Sequence, residues 1–168
     1  FALTGYDKNP FLQNMAIGYT SDGTGRTDFP VYFGVSAGLV SSVLDMAKYS
    51  IAIDNNQFLT AETQELVFTP ARSNSGAVLP YGLGWFVQNH QEVKLIWHYG
   101  WWNGISSVII KVPEKGLAFI ILANSDKMSS AYSAVGNGDI TVHGIAMAFL
   151  NKFVYGDGEL PDTPWVGK

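Results

Sequence analysis

His98 is the residue of this sequence best placed to do chemistry. It stands between Trp97 and Tyr99 and is followed by Gly100, Trp101, Trp102, Asn103 and Gly104. A titratable imidazole beside a glycine, which leaves the main chain open to close approach, and next to bulky aromatic rings makes the wall of a binding cleft. The same residues also fit a core histidine in an aromatic cluster, because perturbed groups are structural as well as functional. Spacing alone leaves both readings open.

Two other constellations compete with it. Gly34-Val35-Ser36-Ala37-Gly38 matches the Gly-x-Ser-x-Gly elbow, in which Ser36 would be an exposed nucleophile on a strand-to-helix turn, with Asp126 and His143 following in the chain order of an α/β-hydrolase triad. Its context is poor: Pro30 cuts into the strand that should precede it, and Gly38 and Ser41-Ser42 delay the helix that should follow. A metal is not expected. His90, His98 and His143 show no His-x-x-x-His spacing and Cys is absent, so zinc would need ligands gathered from distant loops. Neither a phosphate loop nor a dinucleotide fingerprint occurs, and no cofactor is expected. His143 reads as a helix-surface or packing residue.

The elements that must position these groups follow from pattern. The 168 residues suffice for one domain with a core, and a chain 47% hydrophobic and 14% charged is globular, not disordered. A net charge of -4 without a basic run argues against a nucleic-acid surface. No apolar run reaches the length of a membrane span. With no Cys, disulfides are excluded. The chain opens Phe1-Ala2-Leu3 without a signal-peptide pattern, so it is expected to be a processed or excised piece.

Residues 1–80 read as a loop-rich and helical region. Gly and Pro punctuate its first 35 positions. Ser42-x-x-Asp45 then starts a helix running to about Ile53, with Val43, Leu44, Met46, Ala47, Tyr49 and Ile51 as its apolar positions. Thr60 caps a second helix that buries Leu66 and Val67 and stops at Pro70. From 81 to 124 the period becomes two. A strand through Leu83, Trp85 and Val87, one from Val93 to Trp97, and the runs Ile105–Val112 and Leu117–Ala123 across the Pro113-Glu114-Lys115-Gly116 turn read as an antiparallel meander. Asp139 caps a final helix over 139–155 with Val142, Ile145, Ala146, Phe149, Leu150 and Phe153 at helical spacing, packed on one face of the sheet. The fold class is α+β, and the whole chain, 1–168, is one partial domain.

Four pieces in order resemble the serine hydrolases that comprise class C β-lactamases, D-Ala-D-Ala carboxypeptidases and related esterases. They are Gly38 to Lys48 entering the helix, Tyr81-Gly82-Leu83-Gly84-Trp85, His98-Tyr99-Gly100 where that family has Lys-Thr-Gly or His-x-Gly, and Val112 through Asn124 as the following hairpin. The resemblance implies the C-terminal part of the β-lactamase/transpeptidase-like fold. It implies that His98, Tyr99 and Gly100 line the active site and that Trp101 offers a main-chain N–H to an oxyanion hole. Trp102, Asn103 and Asp126 would face the substrate. The family's nucleophile motif Ser-x-x-Lys and its Tyr-x-Asn are absent: no Ser has Lys three later and no Tyr has Asn two later. The resemblance therefore implies an N-terminal half carrying both as the partner, a small acyl substrate, and a chain inactive by itself. Such a chain should expose a sheet edge and an apolar face. A histidine in place of Lys, largely neutral at pH 7, with Tyr99 for Thr and Asp126 nearby, tilts the implied activity towards an esterase or peptidase-like hydrolase. A non-catalytic binding module of the same fold is the alternative. A periplasmic or secreted location follows from the resemblance only.

Overall fold

The structure, a computed structural model, describes residues 15–27, 37–130 and 133–156. Ser36, with Gly34, Val35 and Pro30, lies outside the described residues. Two short strands, β1 (Gly18–Tyr19) and β2 (Arg26–Thr27), pair with each other. Helices α1 (Val43–Asp54) and α2 (Ala61–Val67) follow. Then comes a four-stranded antiparallel sheet in the order β3 (Phe86–His90), β4 (Val93–Trp102), β5 (Ile105–Val112), β6 (Leu117–Ala123). A short helix α3 (Lys127–Ser130) leads to a 3-10 turn at Ile140–Val142 and to α4 (Gly144–Phe149), which continues as a π-helical stretch to Tyr155.

Local chemistry explains the boundaries. Ser42 accepts from the Asp45 N–H and Thr60 from the Thr63 N–H, so each hydroxyl satisfies a first-turn donor that a helix leaves unpaired. The turn after β5 closes at Gly116 with φ of 61°, where a side chain would be strained. The first sheet strand starts at Phe86, later than the Leu83–Val87 pattern suggests. Gly84, at φ of 84°, turns the chain, and the Trp85 carbonyl is taken by the Gly82 N–H.

The sheet has two different faces. Leu95, Trp97, Val108, Ile110 and Val112 pack against Ile140, Ala146, Leu150 and Val154 to form the main core. The other face carries Ile96, which joins Ile53 and Phe68, and Lys111, whose ammonium donates to the Ser50 hydroxyl at 2.6 Å and meets Asp54 at 2.8 Å.

Three expectations are corrected here. The expected apolar face of α1 does not meet the sheet: Ser50 and Ile53 are its buried residues, while Val43, Leu44, Tyr49 and Ile51 stay exposed. Lys111 on the sheet draws the helix's polar edge inward. On α2, Leu66 is 64% exposed, and Phe68, just past the helix end, is the buried side chain. The final helix is not continuous from Asp139. That residue caps only the 3-10 turn, through Thr141, and the chain restarts at His143. Ala146 and Leu150 are buried as their spacing predicts and Val154 joins them, while Val142 and Ile145 are exposed.

His143 is fully buried, and its Nδ1 accepts from the Ala146 N–H at 3.2 Å. Only a neutral imidazole with Nδ1 unprotonated can do this. Burial holds its pKa below the ordinary 6.5. The unfolded chain therefore binds the proton first, and this contribution to stability is complete above about pH 6.5 and lost as pH falls through the folded value. His143→Asn keeps a capping acceptor and removes the titration. It should flatten the acid limb of stability, read as Ala146 amide exchange between pH 5 and 8; an unchanged limb would refute this role.

Candidate functional site

Strand parity decides what the candidate motif presents. The Val87 N–H points away from β4, to the Pro80 carbonyl at 3.0 Å. Val87 stands opposite Ile96 and Phe86 opposite Trp97. Alternation then directs the main-chain groups of Ile96, His98, Gly100 and Trp102 at β5, and those of Leu95, Trp97, Tyr99 and Trp101 at the β3 side. The two-residue turn Asn103-Gly104, closed by the Trp102↔Ile105 pair, gives the same phase. β3 reaches only Trp97. Among the described residues no strand pairs with Tyr99 to Trp102 on that side, so the Trp101 N–H lies on an open edge.

Side-chain directions alternate along this strand, with Tyr99 and Trp101 leaving it on the face of Trp97 and His98 and Trp102 on that of Ile96. The His98 ring turns along the strand edge towards Phe86, with 5.9 Å between centroids. Gly100 pairs with Ser107, and a Cβ there would lie 2.5 Å from the Ser107 hydroxyl. A side chain at this position would have to push the Ser107 hydroxyl aside, and glycine leaves the edge flat. Ser129 donates to the Gly100 carbonyl at 3.1 Å and ties α3 to the motif. Trp101 and Trp102 are 59% and 51% exposed at the strand end.

His98 is half-buried. Its Nε2 lies 2.9 Å from the Tyr81 hydroxyl, and its ring stacks on Tyr99 with 6.1 Å between centroids. Burial lowers its pKa from the ordinary 6.5, and a smaller opposing effect comes from the main chain at Tyr99. The imidazole is therefore neutral at pH 7 and presents no fixed positive charge.

Asp126 holds the turn. Its Oδ2 accepts from the Gly104 N–H at 3.3 Å, and its Oδ1 is buried without a hydrogen bond among the described residues. Asn103 forms the turn beside Gly104, which sits at φ of 73° against the Thr27 side chain. The Tyr19 N–H donates to the Asn124 carbonyl at 2.9 Å, and Asn124 Nδ2 to the Ile17 carbonyl at 3.0 Å. β1 and β2 thereby brace the turn end of the hairpin. The structure thus brings His98, Tyr99, Gly100, Trp101 and Trp102 along one strand end, with Asn103 and Asp126 at its turn. Sequence reasoning missed Tyr81 as a neighbour of His98. A tyrosine beginning the Tyr-Gly-Leu-Gly-Trp run was the available signal, but the contact spans 17 residues.

Other chemistry is not assembled. Among the described residues no group of three or more His, Asp or Glu could hold a metal ion. No helix among them is long and apolar enough to cross a membrane. Ser50 and Lys111 make a Ser–Lys contact, but both are buried between α1 and the sheet and the ammonium is ion-paired to Asp54, so the pair clamps the fold and is closed to solvent.

Known proteins resemble this chain in sequence and fold. Penicillin-binding protein 4* of Bacillus subtilis (strain 168) is 30% identical over 114 residues, which are 66% of this chain and 25% of that protein. The structure is similar to that of the octameric penicillin-binding protein homologue from Pyrococcus abyssi, with a TM-score of 0.64 and 25% identity over 83% of this chain and 32% of that one. The chain therefore spans about a quarter to a third of the length of these relatives. The β-lactamase family model matches residues 5–137. With an α+β fold like that of a penicillin-binding protein homologue and a match over most of its length, the chain belongs to the β-lactamase family.

Proposed function

We propose that this chain is the C-terminal portion of a serine hydrolase acting by acyl transfer on an ester, amide or β-lactam. It would supply the third-motif strand, while an N-terminal portion supplies Ser-x-x-Lys and Tyr-x-Asn. The open edge of β4 at Tyr99–Trp101 carries this reading. A main-chain N–H that no neighbouring strand uses among the described residues, beside a glycine, is what an acyl oxygen needs when it acquires negative charge. His98, Tyr99 and Gly100 would form the wall beside that oxygen, and Trp102, Asn103 and Asp126 the substrate-facing rim. A neutral His98, exposed indole rings and an acidic Asp126 favour an uncharged acyl ester over a substrate held by its carboxylate.

The uncovered face of α1 supports the need for a partner segment. Val43, Leu44 and Ile51 of α1 and Leu122 of β6 are exposed on two elements that pack together, and Leu39, just before α1, is exposed as well. Residues 1–168 expressed alone should associate or aggregate; a cooperative melt of a monomer would argue against a missing N-terminal cover.

The test is intact-mass and peptide analysis of the full-length protein after treatment with a serine-reactive fluorophosphonate. One adduct on a serine of a Ser-x-x-Lys motif N-terminal to Phe1 is expected. An adduct on Ser36 would replace this reading by the α/β-hydrolase elbow, and no adduct would favour a non-catalytic binding module. Short acyl esters should be hydrolysed faster than cephalosporins; the reverse order would sink the ester preference.

A further inference from the structure

We propose that Tyr81 is a positioning residue for His98, its hydroxyl holding Nε2 and so fixing the imidazole on the strand read as the wall of the acyl-transfer site. The inference rests on the reading of β4 as the wall of that site.

The geometry is built from the Tyr81-Gly82-Leu83-Gly84-Trp85 run. The Tyr81 carbonyl accepts from the Ala71 N–H at 2.9 Å, and the Leu83 N–H donates to the Val67 carbonyl at 3.2 Å, which fastens the run to the end of α2. A Cβ at Gly82 would lie 2.7 Å from the carbonyl oxygens of both Val67 and Thr69, so no other residue lets the run lie this close. Tyr81 is bridged to Phe86 along the main chain, and their rings meet edge to face at 4.6 Å. Phe86 in turn stacks on the fully buried Trp97 at 4.3 Å. The tyrosine ring is therefore held by Phe86 and the core beneath it, and its main chain by the segment that ends α2. Its hydroxyl meets His98 Nε2 at 2.9 Å with the rings 5.9 Å apart and steeply inclined.

Two consequences follow for the imidazole. Its χ2 is fixed, because a flipped ring would forfeit the hydroxyl. Its tautomer is coupled to the hydroxyl rotor: when Tyr81 donates, the ring proton is on Nδ1; when Tyr81 accepts, the proton is on Nε2 and Nδ1 is unprotonated. One hydroxyl thus decides which role the histidine offers. The groups facing the ring are the Tyr81 hydroxyl, the rings of Phe86 and Tyr99, and the main chain at Tyr99.

The experiment uses the full-length protein with ring-15N histidine, as wild type, Tyr81→Phe and His98→Ala. Phenylalanine keeps the packing against Phe86 and removes only the hydroxyl. In Tyr81→Phe the His98 Nε2 resonance and tautomer ratio should move towards those of a free imidazole, and kcat/KM for a short acyl ester should fall about ten- to hundredfold with KM little changed, the size of effect that loss of orientation produces. An unmoved imidazole spectrum, or a moved spectrum with unchanged kcat/KM, overturns the proposal. If His98→Ala loses activity while Tyr81→Phe does not, only the positioning role fails. If His98→Ala is itself without effect on acyl transfer, the reading of the site fails and takes this inference with it.

Discussion

Replacing Trp101 with proline in the full-length protein should lower kcat/KM for acyl transfer by about 10²–10³, or about 2.7–4 kcal/mol of transition-state stabilisation. Trp101→Ala should leave kcat/KM within about tenfold, because the proposed contact uses the main chain and not the indole. The contrast is possible because of strand parity. The Trp101 N–H points to the open edge, so proline there removes a donor without cutting a β4–β5 hydrogen bond. Proline is tolerated at such an edge position, with its φ near the extended range. The side chain is 59% exposed, so its loss leaves no cavity in the core. Equal loss in the two variants would mean that the indole, not the amide, matters. No loss in Trp101→Pro would remove this residue from the oxyanion hole.

The same parity argument shows which parts of the fold were legible in the sequence. Ile105–Val112 and Leu117–Ala123 are local objects: β-branched runs joined by a Pro-to-Gly turn, and they occur with those boundaries. The caps at Ser42 and Thr60 are equally local, since the hydroxyl bonds an N–H three residues on. The extent of β4 was harder to read. Its glycine and paired tryptophans look like the start of a loop, yet the ladder continues to Trp102 because Ser107 lies under Gly100 and Ile105 opposite Trp102. The orientation of α1 was not legible at all. Val43, Leu44 and Ile51 carry the helical period, but Lys111, 61 residues from Ser50, decides which side meets the sheet. Likewise His143 could be placed on a helix, whereas its role as the cap that starts α4 depends on a break visible only in three dimensions. For the site, the motif residues were legible as neighbours in sequence; the Tyr81 hydroxyl on His98 was not, because a contact between a turn and a strand leaves no period.

The Lys111 clamp gives the second large effect. Lys111 is 1% exposed, while the Asp54 side chain is 49% exposed. Removing one partner or the other should therefore have unequal consequences. Asp54→Ala leaves an ammonium beneath α1 with, among the described residues, the Ser50 hydroxyl at 2.6 Å and the Ser50 carbonyl at 3.2 Å as acceptors. It should destabilise the protein by about 3 kcal/mol, the low end of what breaking a buried pair costs, because water can enter at the half-exposed carboxylate position. Lys111→Met leaves a carboxylate that water already reaches and puts an apolar chain of similar length beside Ile96. It should cost less than about 1 kcal/mol, since a buried ion pair repays little more than its own desolvation. In a Lys111→Met background, Asp54→Ala should then be nearly neutral, giving a coupling energy of about 2–3 kcal/mol in the double-mutant cycle. Urea unfolding of the four proteins measures it. Should Lys111→Met prove as damaging as Asp54→Ala, the lysine stem would be filling a space that methionine cannot, and the clamp would owe its effect to packing instead of charge. A large coupling with a harmless Lys111→Met would instead mean that the pair holds the polar edge of α1 inward at little net gain in stability. That would leave the helix's apolar edge outward, where the N-terminal portion proposed above would cover it.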